Sequence, residues 1–128
     1  MSEIVLATLN ARYSHASLGL RYLRANLGAL RDHSRIREFV IGQKTEEIVE
    51  AILAEQPRIL GLGVYIWNCE ESLKLVLMLK AVRPELIIVL GGPEVSYESG
   101  EQAICAAADY TITGWGDISF PKLCQAVL

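Results

Sequence analysis

The chain has little of what metal-binding and hydrolytic proteins usually carry. Its 128 residues include two histidines, His15 and His33, and three cysteines, Cys69, Cys105 and Cys124. The cysteines are odd in number, widely spaced and free of any CxxC or CxxxCxxC arrangement, which excludes a disulfide framework, a thiolate zinc cage and an iron–sulfur cluster within this chain. No signal peptide precedes the first apolar stretch, so the thiols read as reduced cysteines of a cytoplasmic protein. No apolar run approaches the ~20 residues needed to span a bilayer, and a membrane partner is not expected. Lysines and arginines are scattered apart from a modest cluster at Arg31, Arg35 and Arg37, and the formal net charge is −3, so there is no basic stripe for a nucleic acid. No GxGxxG follows the first apolar stretch, which removes a dinucleotide site of the Rossmann kind. With two histidines in separate polar loops, no set of nucleophile, base and orienting group can be assembled. His33 reads as a solvated turn residue, whereas for His15 a ligand contact and an ordinary loop histidine both stay open.

What is present is a hydrophobic, globular pattern. Hydrophobic residues make up 52% of the chain and the mean hydropathy is +0.29, which excludes disorder and is enough for one core. EIVLATL, residues 3 to 9, predicts a first strand. The loop NARYSHAS follows, and then Leu20, Leu23, Leu27 and Leu30 recur at helical spacing, predicting an amphipathic helix over residues 17 to 30. After a polar turn, IREFVI (36 to 41) predicts a second strand. Thr45 is placed to cap the next helix, Glu46 and Glu47 lie in its first turn, and Pro57 marks its end.

ILGLGVYI (59 to 66) predicts a third strand in which Gly61 and Gly63 lie on one face. Paired glycines there fit either a closely approaching ligand or close packing of a helix on the sheet. Asn68 and Glu71 have the spacing of a capping box and open a helix to about residue 82 that Pro84 ends. That helix is apolar nearly all round, which suggests a partner surface on one side. LIIVLGGPEVS (86 to 96) predicts a buried fourth strand ending at Gly91, Gly92 and Pro93. A helix over 99 to 108, a fifth strand YTITG (110 to 114) and a last helix over 119 to 128 complete the chain.

Five strands and five helices in strict alternation predict an α/β three-layer sandwich with a flavodoxin-like parallel sheet in the order 2-1-3-4-5. A ligand would then lie over the carboxyl ends of the strands. Of the chemistries this architecture hosts, a phosphorelay receiver needs acids after the first strand and an Asp after the third. Leu9 and Asn10, then Tyr65, Ile66 and Trp67, stand in those places. A flavodoxin needs a tight hydroxyl-rich turn for its phosphate, and Thr8, Ser14 and Ser17 are too dispersed, although Trp67 and Trp115 could flank a flat ring.

SLGLRYLRANL, ILGLGVYIWNCEESLKLVLMLK, VLGGPEVS and DYTITGWGD, in this order and spacing, resemble the N-terminal cobalamin-binding domain of radical SAM enzymes, across essentially all of residues 1 to 128. The resemblance implies cobalamin held over the carboxyl edge of the sheet, with its nucleotide tail in a slot between sheet and helices. Related domains carry Ser-x-Leu in the third strand and Gly-Gly at the end of the fourth. Gly63 and Tyr65 fall at the first pair of positions, and Gly91 with Gly92 match the second.

In the methionine synthase type, Asp-x-His-x-x-Gly follows the first strand. Here Tyr13 replaces the acid and Gly19 comes one residue late, so no cobalt-ligand role passes to His15. GWGD stands where the family shows Gly-Glu-Gly-Glu, with Trp115 replacing an acid.

The binding positions so implied are Asn10, Tyr13, His15 and Ser17; Gly63, Tyr65, Trp67 and Asn68; Gly91, Gly92, Glu94 and Ser96; and Gly114 and Gly116. None is implied to be catalytic. The resemblance further implies a radical SAM barrel C-terminal to this domain in the same polypeptide, carrying S-adenosylmethionine and a [4Fe-4S] cluster, in an enzyme of methyltransferase or cyclase/oxidoreductase type. The competing expectation is a cofactor-free flavodoxin-like module for interaction or substrate positioning, favoured by Trp115 and by the altered motif around His15.

Overall fold

A computed structural model describes residues 3–10, 18–40, 42–64, 68–91, 103–112 and 119–128. The strands are β1 (Ile4–Asn10), β2 (Ser34–Val40), β3 (Ile59–Gly63), β4 (Ile87–Gly91) and β5 (Tyr110–Thr111). The helices are α1 (Leu18–Ala25), α2 (Thr45–Ala54), α3 (Cys69–Val82), α4 (Ala103–Ala107) and α5 (Ser119–Val127), with a 3-10 turn at Gly28–His33. All strand pairs are parallel and the order is β2-β1-β3-β4-β5, as the alternation predicted.

The central strands are buried on both faces, and their alternate residues feed two cores. Val5, Ala7 and Leu9 with Leu60, Leu62, Ile88 and Leu90 pack under α2, α3 and α4. Ile4 and Leu6 with Ile59 and Val89 pack under α1 and α5 through Leu20, Leu23, Phe120 and Cys124. Each fully buried aliphatic or aromatic side chain contributes about 1.5–3 kcal/mol, so either helical layer alone accounts for a large share of the stability. Burial pushes the Cys124 thiol up to about 12, and on α5 this residue serves to pack the helix against the sheet.

Several local expectations are corrected. The helix predicted over 17 to 30 stops at Ala25, because Gly28 takes a left-handed φ of +61° and the chain tightens into the 3-10 turn. The position before α2 is Lys44, not Thr45, and it makes no side-chain cap. At its other end α2 stops through Gln56 (φ 54°), whose N–H donates to the Leu53 carbonyl, just ahead of Pro57. Asn68 precedes α3 as expected but gives no side-chain cap, because its amide is turned toward β1. Asn10, placed in a loop by its sequence, is the last residue of β1.

Lys80 pins the amino edge of the sheet. Its Nζ donates to the carbonyls of Pro84 and Leu86 at 2.8 Å and to the Asp109 carboxylate at 3.0 Å, and Asp109 accepts the Ile88 N–H at 2.8 Å. The basic cluster is partly neutralised, since Arg35 and Arg37 both donate to Glu55 Oε2 at 3.2 Å. On α3, Leu75, Val76 and Leu79 are fully buried while Leu77 and Val82 are 53% and 59% exposed, so the outer face does carry apolar side chains. Ser72, also on α3, is fully buried and its hydroxyl has no hydrogen-bond partner among the described residues. Among the described residues no helix is long and apolar enough to cross a membrane.

Candidate functional site at the carboxyl edge

Parallel pairing puts residues in register on the same face of the sheet. Ile36, Leu6, Gly61 and Val89 form one rank, on the face covered by α1 and α5. Glu38, Thr8, Gly63 and Gly91 form the next rank toward the carboxyl edge.

The two glycines of β3 therefore meet different surroundings. A Cβ on Gly61 would lie 2.9 Å from Leu6 Cδ2 and 3.0 Å from Phe120 Cζ, so this glycine exists to seat Phe120 of α5 against the sheet. For Gly61 the helix-packing alternative is the correct one. Gly63 lies one rank higher, in register with Gly91. Together they bring no side chain to two neighbouring strands at the carboxyl end of the sheet, a bare cradle of backbone.

The other half of the rank is polar and tied together. Thr8 Oγ1 donates to the Gly63 carbonyl at 2.9 Å. Asn68 Nδ2 donates to the Leu9 carbonyl at 3.0 Å and approaches Thr8 Oγ1 at 3.4 Å. Thr8 is 1% exposed and Asn68 0%. Beside them Glu38 accepts from Asn10 Nδ2 at 3.0 Å and from Arg21 Nη2 of α1 at 2.8 Å, joining β1, β2 and α1 at the corner.

Of the implied binding positions, Asn10, Gly63, Asn68 and Gly91 gather at this edge. Tyr13, His15, Ser17, Tyr65, Trp67, Gly92, Glu94, Ser96, Gly114 and Gly116 lie outside the described residues. Sequence reasoning weighed Thr8 only for a flavin phosphate and passed over Glu38. Each had a signal: Thr8 is the one hydroxyl in EIVLATL, and Glu38 is the acid in phase with Ile36 in IREFVI.

Among the described residues no group of three or more His, Cys, Asp or Glu side chains converges as a metal site. A cleft of about 440 Å³ lies at the opposite, amino edge, between Arg58, Arg83, Leu86 and Val127.

Comparison with known proteins separates architecture from ligand. The fold is similar to that of a cobalamin-binding protein from Desulfitobacterium hafniense DCB-2, with a TM-score of 0.71 and 23% identity over 99% of this chain and 59% of that one. It is also similar to a CheY-like protein, tadZ, from Pseudomonas aeruginosa PAO1, with a TM-score of 0.67 and 18% identity over 97% of this chain and 98% of that one. At such identities the likeness carries the fold alone, and the two neighbours differ in kind, so architecture does not select a ligand.

A curated relative, 2-(S-pantetheinyl)-carbapenam-3-carboxylate methyltransferase of Streptantibioticus cattleyicolor, is 31% identical over 68 residues, 52% of this chain. The match spans only 10% of that relative's length. The family model described as the B12 binding domain matches residues 4–124, nearly the whole chain, and on that match the chain belongs to the B12-binding domain family.

Proposed function

We propose that the chain holds cobalamin across the carboxyl edge of the sheet, with the nucleotide tail entering between the sheet and the layer formed by α1 and α5. The observation that carries this reading is the rank in which Gly63 and Gly91 stand side by side without side chains, one step above the position filled by Phe120. Flat, bulky groups need such an approach, and the closed polar corner of Thr8, Asn68, Asn10 and Glu38 keeps the neighbouring strand ends in place.

The site comprises Asn10, Gly63, Asn68 and Gly91, together with the positions of the four carboxyl-edge loops implied by the resemblance. When bound, the cofactor supplies the organometallic reactivity, and this chain's part is to bind it, orient it and exclude water from one side. Residues 1–128 as a whole serve as that domain.

The parent protein is proposed to be a cytoplasmic radical SAM enzyme of methyltransferase or cyclase/oxidoreductase type, with the barrel, S-adenosylmethionine and the [4Fe-4S] cluster supplied by the same polypeptide. The ordered motif set of the whole chain and the methyltransferase relative support this placement. The exposed Leu77 and Val82 of α3 are where that barrel would dock. A cofactor-free positioning module is the second reading, favoured by Trp115 in GWGD.

Titrating the purified protein with hydroxocobalamin, followed by gel filtration, separates the two. The expected result is retention of the corrinoid with a shifted visible spectrum. Absence of retention at high micromolar hydroxocobalamin, with the protein folded by circular dichroism, contradicts the first reading and supports the second.

A further inference from the structure

The peptide unit between Gly63 and Val64 is gripped at both ends. Its oxygen accepts the Thr8 hydroxyl at 2.9 Å, and its N–H donates to the Gly91 carbonyl at 2.8 Å. The Thr8 hydroxyl is itself oriented, because Asn68 Nδ2 approaches its oxygen from α3 at 3.4 Å while also holding the Leu9 carbonyl at 3.0 Å. A hydroxyl that faces an N–H donor on its lone-pair side directs its own proton away, here to Gly63. All of this happens without solvent, at 1% and 0% exposure for Thr8 and Asn68.

The sequence explains why a side chain is needed. Glycine has the widest backbone freedom of any residue, and two glycines in register at the edge of a sheet would leave the Gly63 plane free to tilt. We infer that Thr8 and Asn68 are positioning residues that fix the Gly63–Val64 peptide plane, and so set the height of the glycine cradle that the cofactor must meet. This rests on the cobalamin reading for its functional consequence, though not for the clamp itself.

The test uses Thr8→Val, which keeps the shape and loses the hydroxyl, and Thr8→Ser, which keeps the hydroxyl. Three quantities are measured: amide hydrogen exchange at Val64, the dissociation constant for hydroxocobalamin, and the thermal midpoint. Thr8→Val is expected to lower the midpoint by a few degrees, because the buried Gly63 carbonyl loses its partner, and beyond that to speed Val64 exchange and weaken hydroxocobalamin binding by about tenfold each, the fold-change of one lost buried hydrogen bond. Thr8→Ser is expected to restore both.

A purely structural role would lower the midpoint and leave the affinity of the folded protein unchanged, which overturns the inference. So does unaltered Val64 exchange in Thr8→Val. If the unsubstituted protein retains no hydroxocobalamin, the cobalamin reading fails, and Val64 exchange alone decides whether the clamp exists.

Discussion

Gly91→Val is expected to abolish useful cobalamin binding while the protein still folds. Gly91 is the last residue of β4, buried, and in register with Gly63, so a branched side chain there projects from the rank that must stay bare. Overpacking costs about 1–3 kcal/mol, and near the upper end of that range the affinity for hydroxocobalamin falls about a hundredfold. A β-branched residue suits strand geometry, which is why the fold is expected to survive. Gly63→Leu is the companion substitution on the neighbouring strand. Titration of each variant with hydroxocobalamin, alongside far-ultraviolet circular dichroism, reads both quantities, and binding at the unsubstituted level would mean that the cradle lies elsewhere.

Gly61→Val, only two residues from Gly63, is expected to fail differently. It should destabilise the fold by about 1–3 kcal/mol, because the new atoms meet Leu6 and Phe120, both fully buried. Denaturant unfolding measures the loss. Adding Phe120→Leu in the same chain should recover part of it, since the two sites share one contact and their effects are not additive. An increase in stability for Gly61→Val alone would show that Phe120 does not rest on this glycine.

The contrast between Gly61 and Gly63 also marks how far the sequence could be read. Strand number and parallel pairing were legible, because strands buried on both faces leave continuous apolar runs and the helices between them repeat at 3.6 residues, whereas the order 2-1-3-4-5 followed from choosing the doubly wound topology that suits so short a chain. The identical spacing of the two glycines could not reveal that one sits under Phe120, a partner contributed by the last helix. The same limit applied to Asn68. Its spacing to Glu71 fits a local cap, yet its amide is used by Leu9, 59 residues earlier.

The contact made by Thr8 was hidden because a threonine in a strand is explained well enough by its β-propensity, and only the three-dimensional pairing shows its hydroxyl engaged with Gly63. The helix drawn across residues 17 to 30 failed because Leu30 continued the apolar period past a glycine whose backbone had already left the helix. For the carboxyl-edge loops, the roles of Tyr13, His15, Trp67, Glu94 and the others rest on the resemblance alone.

The central claim is that cobalamin sits at the carboxyl edge, over Gly63 and Gly91, and not in the cleft at the amino edge. Amide hydrogen exchange with and without saturating hydroxocobalamin tests it most directly. Protection confined to the ends of β1, β3 and β4, with Val64 among the most slowed amides, is the result expected. Protection instead around Arg58, Arg83 and Leu86, with the Gly63 and Gly91 region unchanged, would contradict it.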